Sequence, residues 1–130
     1  MLALVDDDPT YPMLFRRALK LEQLEPELQV FKDAEAADAY FAGGGEAALL
    51  VLDLNLPGMS GLELLKVLRG RAETARLPIL LHSYSKEPEN VAAAYQGAAS
   101  GYIVKPQGLP DLRRLVRALH DHWLVFNETE

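Results

Sequence analysis

Three carboxylates, a hydroxyl and an ammonium stand at the ends of short apolar runs in this chain. Leu2–Val5 runs into Asp6 and Asp7, Ala48–Leu52 into Asp53, Ile79–Leu81 through His82 into Ser83, and Tyr102–Val104 into Lys105. Gathered in one place, the three carboxylates repel one another unless a cation sits among them. Mg2+ suits such a nest, because it takes oxygen ligands and commonly uses one or two carboxylates with waters and phosphate oxygens; Mn2+ is an acceptable substitute. A carboxylate beside that ion can attack phosphorus and become an acyl phosphate. Phosphoryl transfer needs mainly alignment and neutralisation of oxygen charge. The ion, the Lys105 ammonium and the Ser83 hydroxyl supply that neutralisation from three sides.

Elements must bring these residues together. The apolar runs, with Leu28–Phe31 as a fifth, are mostly continuous and not alternating, which marks strands covered by helices on both faces. Helical periodicity fills the gaps between them. Asp8-Pro9 reads as an N-cap acid followed by proline at the first helical position, with Tyr11, Leu14, Phe15, Ala18 and Leu19 on one stripe. Ala34, Ala37, Tyr40 and Phe41 mark a second helix, stopped by Gly43-Gly44-Gly45. Leu62, Leu65 and Leu68 mark a third, Val91, Ala94, Tyr95 and Ala98 a weaker fourth, and Leu109, Leu112, Leu115, Val116 and Leu119 the clearest. Alternating β and α elements imply parallel strands with right-handed crossovers, a doubly wound α/β sheet. Ligands bind such sheets outside the carboxyl ends of the strands, where these side chains stand. Singly, each has an ordinary use: a solvated turn for Asp6, Asp7 and Asp8, strand and loop ends for Asp53 and Ser83, a surface cation for Lys105. Their joint placement is what selects chemistry.

Composition narrows the function further. At 130 residues the chain fits one domain, since domains run to roughly 100–200 residues. It contains no cysteine, which removes disulfides and thiolate chemistry and fits a reducing compartment. No run reaches the roughly 18 apolar residues of a membrane span, and the start lacks the basic segment of a signal peptide; a cytoplasmic protein without membrane contact is expected. A net charge of −6 without a basic block argues against direct nucleic-acid binding.

Four segments resemble the signatures of receiver domains of two-component response regulators, the CheY-like superfamily. They are Leu2 to Pro9, Leu50 to Gly61 (LVLDLNLPGMSG), Pro78 to Ser83 and Gly101 to Pro106. The resemblance spans residue 2 to about residue 122 and implies a (βα)5 flavodoxin-like three-layer sandwich, with strands in the order 2-1-3-4-5. It implies that Asp6 and Asp7 hold Mg2+ and that Asp53 is the phosphoacceptor. The Asn55 carbonyl would complete the metal shell, and Lys105 would pair with the phosphoryl oxygens. Ser83 and Tyr102 would switch in concert, and Lys105–Pro106 would be a cis peptide. A phosphohistidine on a sensor histidine kinase or phosphotransfer protein would be the donor, docking near the first helix and Gln107–Pro110. The output surface would be helix 4, strand 5 and helix 5, with Tyr95, Tyr102 and Arg113, and the only reactions catalysed would be the domain's own phosphorylation and dephosphorylation.

Tyr84 follows Ser83 where the family usually has a small residue, so it is expected either to crowd the approach to Asp53 or to point away. His82 is read as a packed histidine, with a relay or donor role as the alternative, and Asn55 and Ser85 stand where the family tunes dephosphorylation. Residues 1–122 form the expected domain and 123–130 a tail. Its Trp123-Leu124-Val125-Phe126 stretch is expected to pack back, with a homodimer contact as the alternative. That apolar tail favours a stand-alone regulator over a receiver cut from a longer one. A Mg2+-dependent phosphatase competes poorly, because Asn55 replaces the second carboxylate such chemistry uses as acid and base. A pseudo-receiver competes poorly because no acidic or lysine position is missing.

Overall fold

The computed structural model describes residues 1–126. Strands β1 (Leu2–Val5), β2 (Leu28–Phe31), β3 (Leu49–Asp53), β4 (Ile79–Ser83) and β5 (Gly101–Val104) alternate with helices α1 (Thr10–Leu21), α2 (Ala34–Ala42), α3 (Gly61–Arg69), α4 (Pro88–Gln96) and α5 (Leu109–Leu119). All pairings are parallel and the order is β2-β1-β3-β4-β5, the expected doubly wound sheet.

Successive strand residues point to opposite faces, and the core divides accordingly. Ala3, Val5, Leu50, Leu52, Ile79 and Leu81 meet Phe41 of α2, Leu64, Leu65 and Leu68 of α3 and Ala94 of α4. Leu2, Leu4, Leu49, Val51 and Leu80 meet Tyr11, Phe15, Ala18 and Leu19 of α1 and Leu112, Val116 and Leu119 of α5. The middle strands β1, β3 and β4 are buried along their whole length, which explains their unbroken apolar runs.

Local chemistry sets the helix starts. Ser60 and Glu63 form a reciprocal capping box at α3, satisfying two amides that a helix start leaves unpaired. The next residue, Gly61, has no room for a side chain: a Cβ there would collide with the Asp53 carbonyl oxygen. This close approach lets α3 begin directly under the end of β3. Helix α1 starts one residue later than its Asp8-Pro9 sequence suggests. Pro9 is the cap, and Asp8 Oδ1 accepts the Thr10 N–H at 2.9 Å, an acid side chain serving the helix entry from one residue farther out.

One further expectation is corrected. No peptide bond among the described residues is cis, so Lys105–Pro106 is trans, the lower-energy isomer of an X-Pro bond by about 0.5–1 kcal/mol. Beyond α5, His120–Phe126 continues as a wider helical turn, with Trp123 packed against the α1/α5 core, the packing expected of this apolar stretch. Residues 127–130 of the expected tail lie outside the described residues. No helix among the described residues is long and apolar enough to cross a membrane.

Candidate functional site

Backbone ladders carried one residue past the strands position the site. Asp6 N–H donates to the Phe31 carbonyl (3.1 Å), Leu54 N–H to His82 (3.2 Å), and Lys105 N–H to Ser83 (2.7 Å). These bonds lock the exits of β1, β3 and β5 to their neighbours. The side chains that follow therefore converge at the carboxyl edge.

There, Lys105 Nζ donates to Asp6 Oδ2 at 2.8 Å and to Asp53 Oδ2 at 3.2 Å. All three residues are nearly sealed from solvent, at 5%, 2% and 7% exposure. The remaining carboxylate oxygens are occupied too: Asp6 Oδ1 accepts the Asp8 N–H (2.9 Å), and Asp53 Oδ1 the Asn55 N–H (3.2 Å). Asp7 is exposed at the rim. Burial pushes the Asp53 carboxyl above the ordinary range, and the Asp6 charge adds to the rise against the pull of Lys105. Burial alone would lower the Lys105 ammonium, but its bond to Asp6 and the two nearby charges outweigh it and raise it.

Asp6, Asp7 and Asp53 each offer a carboxylate oxygen within 4.8 Å of one another. The donor set is wholly hard oxygen, and three carboxylates against one ammonium leave two negative charges. That fits a divalent ion of the Mg2+ or Mn2+ type. Asp53 and Lys105 open onto a shallow cleft lined also by Asp8, Asn55, Ser83, Tyr84, Ser85 and Glu87. Tyr84 does line this approach; it is 56% exposed, its ring centroid 5.2 Å from Lys105 Nζ.

Ser83 is buried on the next strand, its Oγ accepting the Ser85 N–H at 3.1 Å. Tyr102, half-buried on β5, donates its hydroxyl to the Ser85 carbonyl at 2.9 Å. Ser85 Oγ accepts from Glu87 N–H and Asn90 Nδ2. The β4–α4 loop thus links both expected switch residues to the start of α4.

One member of the site was not apparent in the sequence. Tyr11, read there as part of an apolar stripe, lies under the Lys105 ammonium and bonds His82. His82 is packed as expected, 1% exposed, and burial, with Lys105 nearby, drops its imidazole to about 3. The available signal was a polar hydroxyl on the buried stripe of the helix following the acidic pair.

Fold and site together define a CheY-like flavodoxin fold with an acidic nest at its carboxyl edge. Residues 2–117 match the family model of the response regulator receiver domain, and the chain belongs to that family. It is 29% identical over 130 residues to response regulator Rcp1 of Synechocystis sp., covering 95% of this chain and 88% of Rcp1. It is 37% identical over 119 residues to the phosphate regulon transcriptional regulatory protein PhoB of Rhizobium meliloti, covering 91% of this chain but 51% of PhoB. Among solved structures it resembles the Mn2+-bound form of Rcp1, with TM-score 0.87, 27% identity and coverage of 99% and 97% of the two chains. It also resembles the phosphorylated cyanobacterial phytochrome response regulator RcpA, with TM-score 0.88, 26% identity and coverage of 98% and 95%.

Proposed function

We propose that this receiver domain is the phosphoryl-accepting switch of a two-component phosphorelay, with Asp53 as acceptor and no catalysis beyond its own phosphorylation and dephosphorylation. One observation carries the reading: a buried ammonium bridges Asp6 and Asp53, with the Asp7 carboxylate close enough to share a cation with both. A phosphohistidine on a sensor kinase or phosphotransfer protein is the donor. An Asp53 oxygen forms the new O–P bond while the N–P bond of the donor breaks and the imidazole keeps the electron pair. Mg2+, held by Asp6, Asp7, Asp53 and the Asn55 carbonyl, supplies countercharge to the phosphoryl oxygens when bound; the Mn2+-bound Rcp1 structure supports a divalent ion here. Lys105 follows the charge from Asp53 to the phosphoryl group.

The signal leaves through the β4–α4 loop. Ser83 turns to the phosphoryl group and gives up the Ser85 N–H, and Tyr102 shifts in concert because it holds the carbonyl of the same residue. These bonds tilt a pre-existing equilibrium toward an active arrangement, which a partner protein reads on α4, β5 and α5. The donor docks by α1 and Gln107–Pro110. We read the protein as a cytoplasmic regulator. Mass spectrometry after incubation with acetyl phosphate and Mg2+ tests the core of this reading. Wild type gains one phosphoryl group and Asp53→Asn gains none; equal labelling of the two overturns it.

A further inference from the structure

Carboxylates are not the only groups that hold Lys105. Its ammonium lies 4.8 Å from the centroid of the Tyr11 ring, within the roughly 6 Å at which an aromatic face attracts a cation. Tyr11, 3% exposed, stands in the first turn of α1, directly after the loop that carries Asp6 and Asp7. Its hydroxyl meets His82 Nε2 at 2.9 Å. The two rings lie nearly edge to face, with centroids 5.1 Å apart.

His82 is an odd occupant of β4. An aliphatic side chain would fill this buried position without leaving a polar atom unmet, yet the His82 Nδ1 is buried with no partner. An unpaired buried polar atom is costly, and the bond to Tyr11 is the side chain's one hydrogen bond among the described residues. The strand also joins it to the site on both sides. His82 pairs in register with Asp53 on β3 and immediately precedes Ser83.

We infer that Tyr11 and His82 form a positioning couple for the Lys105 ammonium, an inference that rests on the reading of Asp53 as phosphoacceptor. His82 anchors the phenol hydroxyl, and the anchored hydroxyl fixes the tilt of the ring. The ring seats the ammonium where it spans Asp6 and Asp53. Lysine carries its charge on a flexible four-carbon stem. Without the seat, the ammonium keeps only the two carboxylates and the exposed Tyr84 ring and is less often aligned with the incoming phosphoryl group. The couple also joins β4 to α1, so the ammonium and the Ser83 hydroxyl are aligned by one strand.

Phosphorylation of the full chain by acetyl phosphate with Mg2+ tests this in wild type, Tyr11→Leu, Tyr11→Phe, His82→Leu and His82→Gln. Proton–nitrogen spectra of the Lys105 ammonium accompany the rates. Losing the ring in Tyr11→Leu slows labelling about tenfold, as expected for a desolvated cation over an aromatic face. Tyr11→Phe and His82→Leu keep the packing but lose the anchor; they slow it about threefold and shift the ammonium resonance. His82→Gln offers an amide near the position of Nε2 and restores both rate and resonance. Should Tyr11→Leu fail to fold, Tyr11→Phe and the His82 pair decide. Wild-type rates with an unmoved resonance in Tyr11→Phe and His82→Leu overturn the inference alone, as does a slow His82→Leu that His82→Gln fails to rescue. A wild type that takes no label overturns the phosphoacceptor reading and the couple together.

Discussion

The α1/α5 side of the sheet and the α4/β5 side are built to different standards. On the first, Phe15, Ala18, Leu112 and Val116 are sealed between helix and sheet. Glu22, at the end of α1, takes Arg113 Nε on its carboxylate at 2.7 Å and Arg117 Nη2 on its carbonyl at 2.8 Å. On the second, Ala94 is the one buried residue of α4. Tyr95 is 54% exposed and Val104 on β5 38% exposed. Local stability follows buried apolar contact, so α4 costs little to shift while α1 and α5 hold the site's frame. Lys105 leaves the loose strand but ends in the firm half, between Asp6 and Asp53. A change of charge there acts on both.

The largest effect that can break this comparison lies in the firm half. Phe15→Ala is expected to cost about 3–5 kcal/mol by denaturant titration; a cost below about 1 kcal/mol would mean that α1 is not a fixed frame. Next comes acid. His82 is neutral in the fold, its imidazole lowered from 6.5 to about 3 by burial and then by Lys105. Its contribution to stability is full above the unfolded value and is lost as pH falls toward 3. Between pH 8 and pH 5 the loss is about 2 kcal/mol, measured as the difference between the native histidine and His82→Leu. Asp53 works in the opposite sense, because its raised carboxyl takes up a proton at a higher pH in the fold than in the unfolded chain, which favours the folded state as pH falls. The measurement therefore belongs in an Asp53→Asn background, and equal pH profiles for the two side chains would contradict the buried, neutral assignment.

Smaller effects sharpen the loose half. Tyr84→Ala removes a ring from the cleft wall and is expected to speed labelling by acetyl phosphate about two- to threefold; an unchanged rate means the ring does not gate the approach. Tyr95→Ala should change stability by no more than about 0.5 kcal/mol while weakening capture of a downstream partner. A large loss of stability would move α4 into the frame.

How much of this was legible follows from where each signal resides. Leu49–Leu52 and Ile79–Leu81 announced buried strands because both faces are covered, and the acids, hydroxyl and lysine behind them fell at one edge as parallel connectivity requires. Strand β4 nevertheless extends to Ser83, because backbone pairing with Ile103 and Val104 recruits His82 and Ser83 whatever their polarity. The stripe assigned to α4 failed at Tyr95, which faces solvent, and at Ala98, which has a φ of 66° beyond the helix end. Alanine gives no side-chain warning of such a stop. Tyr11 and His82 are 71 residues apart, and their contact depends on which face of α1 lies over β4, a tertiary fact that periodicity cannot carry. The isomer of Lys105–Pro106 was expected from family likeness, with nothing local in the sequence to support it.

The most direct test of the central claim is to locate the modified residue. After labelling with acetyl phosphate and Mg2+, borohydride reduction converts an aspartyl phosphate to homoserine, which peptide sequencing by mass spectrometry reads. Homoserine at position 53, with Asp6 and Asp7 intact, is the predicted result. Homoserine at either of those residues, or a labelled chain with Asp53 unchanged, would contradict it.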